Sequence, residues 1–284
     1  DDPVDPLVGV DGLHPHAAHR LCRDAAGRLA DDLGKVDLVD DLFGDAGQAY
    51  LDRYDADVSL FAEVAVKARR HAAANPAAVF RDPLTVDEVL ASPHVYGPLT
   101  RLQCCPPTCG AAAAILCTPE FARAHGIDAS ITIRAQAMTS DTALTFAGDA
   151  MELIGSGIAR RAADAVYEAS GVDPLEIPVV ELHDCFTANE IISYEALRLT
   201  PDGTSDRFVR DGDNTYGGRV VTNPSGGLLS KGHPLGATGL AQCAELVWQL
   251  RGTAGERQVD GARLALQHNL GLGSACVVTL YERS

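Results

Sequence analysis

The sequence is short of aromatic and basic residues, and it holds no long apolar run. Only 5% of its 284 residues are aromatic, and 23 Lys and Arg stand against 39 Asp and Glu, a formal net charge of −16. Surfaces that follow phosphates or anionic lipids need clustered basic side chains, so this charge argues against nucleic acid and membranes as partners. No stretch approaches the roughly 18 apolar residues of a membrane span, and the first residues show no signal peptide pattern. We therefore expect a soluble, cytoplasmic protein.

The eight cysteines are spaced irregularly and lie mostly among apolar residues. This usage predicts reduced thiols and not a disulfide framework. Three of them, Cys104, Cys105 and Cys109, fall close together, but they lack the paired spacing of a zinc site, so packing is the favoured interpretation. An alternative makes Cys109 a replacement nucleophile.

A second candidate metal site lies near the start of the chain. Three histidines and a cysteine in residues 14–22 have a spacing that suits a transition metal at a helix start. Exposed histidines in an acidic tail are the favoured interpretation, and we predict no metal.

The spacing of apolar residues predicts an α/β protein, with helices in the first third and alternating strands and helices after it. A capping box at Thr85 and Glu88 marks one helix start. The predicted helices cover residues 18–33, 56–74, 85–91, 155–170 and 237–250. The predicted strands cover residues 99–105, 110–116, 131–137, 177–182, 263–267 and 274–281.

A glycine-rich turn over residues 223–239 presents one histidine, His233, ahead of a predicted helix. The positive end of a helix favours negative charge that develops nearby. A histidine there can polarise a thioester carbonyl or take a thiol proton. A phosphate-binding loop is excluded because Lys231 follows Ser230, which breaks the required spacing. A purely structural histidine is the remaining alternative, and the length of the string favours catalysis.

The tetrapeptide His-Asp-Cys-Phe at residues 183–186 directly follows the apolar run 177–182. A thiol beside two imidazoles at a helix start should have a lowered pKa, which predicts a reactive Cys185. A buried cysteine after a strand is the plainer alternative. Its place after the strand, together with the His233 loop, favours catalysis by His183 and Cys185.

Residues 268–273, His-Asn-Leu-Gly-Leu-Gly, predict a glycine turn between two strands. Such a turn can aim the backbone N–H of Gly271 at an oxyanion. Both interpretations are compatible, because the turn would orient the donor.

Together these segments resemble the thiolase superfamily, most closely the sterol-carrier-protein (SCP-x) type of thiolase. The resemblance implies the layered α/β/α/β/α thiolase fold. It places a poorly matched polar segment at 1–43, a helical loop domain at 44–96, the last part of the first thiolase half at 97–120, and a complete second half at 121–284.

The resemblance also implies the site. Cys185 would be the acid/base cysteine, and His183 would join His233 in an oxyanion hole for the thioester oxygen. Coenzyme A would be a substrate, with no cofactor and no metal. Further residues would line the oxyanion sites and the pocket (Asn223, His268, Asn269 and Gly271) or bind substrate (Ser225, Gly226 and Gly227).

One residue of the thiolase pattern has no match in this sequence. Thiolases carry their acyl-accepting cysteine earlier in the chain, and nothing in residues 1–41 matches it. We therefore expect a truncated chain or a half that forms a homodimer or a hetero-oligomer supplying the missing part. The acidic net charge further requires a local basic pocket for coenzyme A, with candidates at Lys67, Arg69, Arg70 and Lys231.

The predicted function is thiolytic cleavage of a 3-ketoacyl-CoA, with a branched or sterol side chain as a candidate acyl group. Two alternatives stay open. One is a steroid side-chain retro-aldolase of the thiolase-like group, which works with a partner protein and without the nucleophilic cysteine. The other is a non-catalytic subunit that binds acyl-CoA or lipid.

Overall fold

The structure is a computed structural model, and it describes residues 36–272 and 275–284. The predicted helix over 18–33 and the candidate metal ligands of residues 14–22 lie outside the described residues. Within those ranges, no group of three or more His, Cys, Asp and Glu is arranged to hold a metal ion. No helix there combines the length and the apolar character that crossing a bilayer requires.

Three helices open the described chain: α1 (Val36–Tyr54), α2 (Ser59–Ala73) and α3 (Val86–Leu90). Helix α2 buries Phe61, Val64 and Ala68, as its apolar spacing predicts, although the helix begins later than expected. The capping box of α3 is confirmed, because Thr85 accepts the Glu88 N–H and Glu88 accepts the Thr85 N–H.

A mixed α/β arrangement follows, which confirms the predicted fold class. The remaining helices are α4 (Pro119–His125), α5 (Ala150–Leu153), α6 (Ser156–Ser170), α7 (Thr187–Ala196), α8 (Ser205–Arg210) and α9 (Thr238–Arg251). The strands are β1 (His94–Tyr96), β2 (Leu99–Thr100), β3 (Ile131–Thr139), β4 (Val179–Glu181), β5 (Val221–Thr222), β6 (Leu264–Gly271) and β7 (Ala275–Arg283).

Five of these strands form one sheet in the order β3-β7-β6-β4-β5. Strand β4 runs parallel to both neighbours, whereas β7 is antiparallel to β6 and β3. Helices cover both faces of β4: Val180 packs into the core with α6 and α7, and Val179 packs with α9. A strand that is buried on both faces reads as a continuous apolar run, as residues 177–182 do.

The structure corrects two predicted strands near the middle of the chain. Of the predicted strand 99–105, Leu99 and Thr100 form β2, a short helical turn follows at 101–103, and Cys104 is extended in an isolated antiparallel bridge with Phe186. The predicted buried strand 110–116 has no strand partner in the described ranges. Ile115 and Leu116 there are 90% and 78% exposed. Apolar spacing signals burial, but a strand also needs a neighbour to pair with, and the described sheet offers none here.

The C-terminal hairpin is longer than predicted. Strand β6 continues to Gly271, which pairs with Ala275 of β7. His268 and Asn269 are therefore strand residues and do not belong to a turn.

Candidate active site

Strand β4 delivers His183, Asp184 and Cys185 at its carboxyl end, where open α/β sheets place their active sites. The backbone there is held on both sides. The Leu182 N–H donates to Oδ1 of Asn223 at 2.8 Å, and the His183 N–H donates to Nδ1 of His268 at 3.4 Å. The side chain of Asn189 donates to the His183 carbonyl.

Asp184 joins this strand end to the His233 loop. Its buried carboxylate accepts the N–H groups of Leu228 at 2.7 Å and Leu229 at 3.4 Å. Both residues belong to the wide helical turn Gly227–Lys231. Gly227 has a φ of 61°, and a Cβ there would collide with the Asp184 carboxylate, so only glycine fits. The sequence signal for this contact is the pair of glycines, Gly226 and Gly227, at which the turn begins.

His233 follows that turn, and its ring stands perpendicular to the ring of His183, with centroids 5.0 Å apart. Nδ1 of His233 lies 2.7 Å from Oγ1 of Thr238, which lies 3.1 Å from the Pro234 carbonyl. A carbonyl can only accept, so the hydroxyl proton goes to Pro234 and Nδ1–H donates to Thr238. Nε2 of His233 is then a proton acceptor. Burial, and then Lys231, lower the His233 pKa to about 4, so this acceptor is unprotonated at neutral pH.

The other two imidazoles are also neutral. Burial lowers the pKa of His268 to about 4, and it lowers the pKa of His183 well below its usual value. Because Nδ1 of His268 accepts a hydrogen bond, its proton sits on Nε2. That atom, Nδ1 of His183 and Nδ2 of Asn223 are buried without a partner among the described residues. Such groups are costly unless a ligand bonds them, which indicates a polar ligand.

Cys185 is buried, and its pKa lies well above the usual value for a thiol. Burial is the main cause, followed by Cys105 and Asp184. The predicted lowering of this pKa is wrong, because neutral imidazoles do not stabilise a thiolate. A thiol that keeps its proton is suited to act as an acid.

The residues predicted to bind substrate lie inside the protein wall. Ser225 donates its N–H and its hydroxyl to the buried carboxylate of Glu181 at 3.0 and 2.9 Å. A Cβ at Gly226 would press against Ala72 of α2. These contacts hold the loop in place, and substrate binding by Ser225, Gly226 and Gly227 stays a prediction.

Two residues of the predicted oxyanion site are directed elsewhere. Alternation along β6 points Asn269 toward α9, where its amide donates to Gln242 at 3.1 Å, while His268 faces the opposite side. Gly271 pairs with Ala275 at the end of the strand. His183, His233 and Cys185 are therefore the predicted residues that the fold brings to one place, with His268 and Asn223 beside them.

The structure also shows the contacts of two candidates for phosphate binding and of the alternative nucleophile. Lys67 is buried against the Glu190 carboxylate, which excludes it as a phosphate ligand, and Arg69 stacks on Phe80, 4.4 Å from the ring centroid. Cys109 is disulfide-bonded, so it is not a replacement nucleophile and not a reduced thiol. The thiols of Cys104, Cys105, Cys117, Cys185, Cys243 and Cys276 are free.

Sequence reasoning missed the buried polar residues that hold this site together. Glu190 and Asn189 occupy a helix, α7, that is buried on every side. Charged and amide side chains inside an otherwise apolar helix were the available signal, because they must find partners when buried. Glu181 and Lys67 are further members of this group.

Known proteins resemble this chain over most of its length. Residues 137–283 match the thiolase C-terminal domain-like family. The chain is 52% identical to sterol carrier protein 2 of Rattus norvegicus over 85% of its own length but only 44% of that protein. It is 34% identical to the benzoylsuccinyl-CoA thiolase subunit BbsB of Thauera aromatica, over 99% of its length and 72% of that subunit.

A solved structure supports the same assignment. The Ltp2-ChsH2(DUF35) aldolase superposes with a TM-score of 0.67 at 25% identity, covering 82% of this chain and 61% of that one. The chain thus spans less than half the length of the sterol carrier relative. The chain belongs to the thiolase superfamily.

Proposed function

We propose that this chain supplies the acid/base half of a thiolase-type acyltransferase, which cleaves a 3-ketoacyl-CoA with coenzyme A. The observation that carries the proposal is the edge-to-face pair of a neutral His183 and an unprotonated His233, with the protonated Cys185 two residues after His183 at the same end of β4. The name of the sterol carrier relatives favours a sterol-derived acyl group.

In the proposed cleavage, Nε2 of His233 takes the proton of an attacking cysteine thiol, whose sulfur bonds to C3 of the substrate. The C2–C3 bond breaks, and its electron pair forms an enolate on the thioester oxygen. Imidazole N–H donors of His183 and His268 stabilise that oxygen. Cys185 gives its proton to C2, which releases acetyl-CoA and leaves the Cys185 thiolate.

The second half-reaction restores the site. The Cys185 thiolate takes the proton of an incoming coenzyme A thiol, and the coenzyme A sulfur attacks the acyl group. The cysteine that carried the acyl group leaves as a thiolate and recovers its proton from His233. The cycle needs coenzyme A as substrate and no cofactor. Its nucleophilic cysteine would come from outside the described residues or from a partner subunit, as the subunit name of the Thauera relative also suggests.

A retro-aldolase is the second candidate, because its chemistry needs no nucleophilic cysteine. His233 would take the proton of a 3-hydroxyl group, C2–C3 would break, and Cys185 would again protonate the enolate at C2. The favouring observation is the structural likeness to an aldolase.

Both candidates share the step at Cys185, so this step is the first test. Acetyl-CoA is incubated with the protein in D2O, and deuterium in its methyl group is followed by mass spectrometry. In this exchange Nε2 of His233 would take the Cys185 proton, and the thiolate would then remove a proton from the methyl group and return deuterium. We expect exchange well above the buffer rate, and loss of it in Cys185→Ala, while the matched variant Cys117→Ala exchanges normally. A folded protein that binds acetyl-CoA without exchange would instead support the non-catalytic, lipid-binding alternative and end the proposal.

Substrate choice then separates the two reactions. Repeated release of acetyl-CoA from a 3-ketoacyl-CoA only when coenzyme A is present, with a single round of release and an acyl adduct on one cysteine by intact mass when coenzyme A is absent, supports acyl transfer. Acetyl-CoA or propionyl-CoA released from a branched 3-hydroxyacyl-CoA without coenzyme A supports the retro-aldolase and contradicts acyl transfer.

A further inference from the structure

A buried polar stripe runs along α2 and just past its end. Lys67, His71 and Asn75 are four residues apart, so they share one face of the helix. Their exposed fractions are 3%, 2% and 4%. Three polar side chains in a row, so deeply buried, need partners of their own.

Their partners follow one another along the chain before His233: Thr222 at the end of β5, then Asn223 and Ser225 of the loop. Lys67 donates to Oγ1 of Thr222 at 2.7 Å, and Asn75 donates to the carbonyl of Ser225 at 2.8 Å. Between them, Nδ1 of His71 lies 3.0 Å from the Asn223 carbonyl. Polar side chains on successive turns of α2 and just past its end are therefore hydrogen-bonded to the segment 222–225.

The hydrogen bonds of His71 define its tautomer. A carbonyl only accepts, so Nδ1 carries the proton and donates it to Asn223. Nε2 then accepts from the hydroxyl of Thr215 at 2.8 Å. Burial, and then Lys67, lower the His71 pKa to about 3, so the ring stays neutral and keeps this orientation at working pH.

Asn223 is the point at which this stripe reaches the site. Its φ of 52° is unusual for a residue other than glycine, and such a conformation persists only when its surroundings hold it. Its N–H donates to the Val180 carbonyl at 2.7 Å, and its Oδ1 accepts the Leu182 N–H at 2.8 Å. Asn223 is therefore hydrogen-bonded to the end of β4 by both its backbone and its side chain. A change in Asn223 would therefore move the strand end that carries His183 and Cys185.

We infer that His71 is a positioning residue for the active site: by donating to the Asn223 carbonyl, it holds residues 222–227 against the end of β4 and so sets His183 and Cys185 opposite His233. The activity readout of its test rests on the proposed function, whereas the backbone readout does not. A displacement of about 1 Å in such a site can cost on the order of 100-fold in rate.

Two substitutions separate the two hydrogen bonds of His71. The amide nitrogen of asparagine lies where Nδ1 lies, so His71→Asn keeps a donor for Asn223 and loses Thr215. His71→Gln reaches the Nε2 position instead and loses Asn223. Thr215→Val, which removes only the Thr215 hydroxyl, is the matched control.

Each variant is measured for deuterium exchange into acetyl-CoA, for amide hydrogen exchange of residues 220–232, and for urea unfolding. We expect His71→Gln to lower kcat by about tenfold at unchanged KM and to speed amide exchange in that segment. His71→Asn and Thr215→Val should stay within about twofold of the parent. Equal losses in His71→Asn and His71→Gln, or losses that track only the folded fraction, would overturn the inference.

Two further outcomes keep the test decisive. If His71→Gln does not fold, Asn75→Ala tests the same stripe at Ser225, with a smaller loss of kcat and faster amide exchange expected. Unchanged kcat and unchanged amide exchange in Asn75→Ala would contradict the inference that the polar stripe of α2 positions this loop. If the parent protein exchanges no deuterium, the proposed function fails, and the amide exchange of residues 220–232 still decides the role of His71.

Discussion

The interior around β4 differs from two segments at the surface, β3 and residues 110–117, in how far its side chains find partners. We call these two segments the flank. In the interior, two buried ion pairs form within the chain: Lys67 pairs with Glu190, and Arg257 pairs with Glu245 at 2.9 Å. The flank leaves large apolar side chains uncovered, with Met138 76% exposed. Others on this flank and nearby are Ile115, Leu116, Phe121, Ile133, Leu144 and Phe146.

This difference shows which part of the protein is self-sufficient. The hydrogen bonds and ion pairs that position the acid/base residues come from this chain, and the buried polar atoms of His183, His268 and Asn223 that lack a partner among the described residues are directed to a ligand. Large apolar side chains exposed in such number favour a place where another surface binds. The resemblance to thiolases puts the first half of the fold beside residues 97–120, so we propose that a first-half surface, in a partner subunit or in further chain, covers this flank.

The largest expected effect comes from removing the base of the interior site. His233→Ala should lower deuterium exchange or cleavage by about 10²–10⁴-fold, the usual contribution of a general base. His125→Ala, an exposed histidine on α4, is the control and should leave the rate unchanged. Retained turnover in a folded His233→Ala protein would refute the assignment of His233.

The next largest effect comes from breaking an interior ion pair. Lys67→Met should destabilise the protein by about 3–5 kcal/mol, because it leaves Glu190 buried without its cation. Urea unfolding measures this change. The double variant Lys67→Met/Glu190→Gln should recover much of the loss, and a double variant as unstable as the single one would show that the charge is not the cause.

A third prediction uses pH to isolate one interior histidine. The His71 pKa falls from about 6.5 unfolded to about 3 folded, so its neutral form stabilises the protein above pH 6.5, and that contribution is lost as pH falls toward 3. The stability difference between the parent and His71→Asn should therefore shrink by about 1.4 kcal/mol per pH unit over this range. A pH-independent difference in urea unfolding would show that His71 is not buried as a neutral ring.

The smallest effect is expected on the flank. Ile115→Glu should change the free energy of unfolding by less than about 0.5 kcal/mol, because an exposed side chain loses little packing. It should also reduce self-association in sedimentation velocity, and it should weaken binding to a first-half partner. Ile191→Glu, at a buried site in α7, is the matched contrast. Similar destabilisation by both would show that the flank is already covered within this chain.

Local chemistry made much of the fold predictable. The capping box at Thr85, the buried run that became β4 and the end of α6 before Gly171 all depend on residues close together in sequence. The strand predicted at 110–116 could not be decided in this way, because pairing requires a neighbouring strand from elsewhere. The domain boundaries stay a prediction for the same reason.

By itself, the sequence determined the family, the α/β alternation, and the placing of His183, Cys185 and His233 at element ends, because motifs and caps act over a few residues. Only the tertiary structure decided the raised pKa of Cys185, the tautomers of His233 and His71, and the hold of α2 on the loop at Asn223. These properties arise from burial and from contacts between residues some 150 positions apart, such as His71 and Asn223 at a separation of 152. Local patterns carry no record of such contacts.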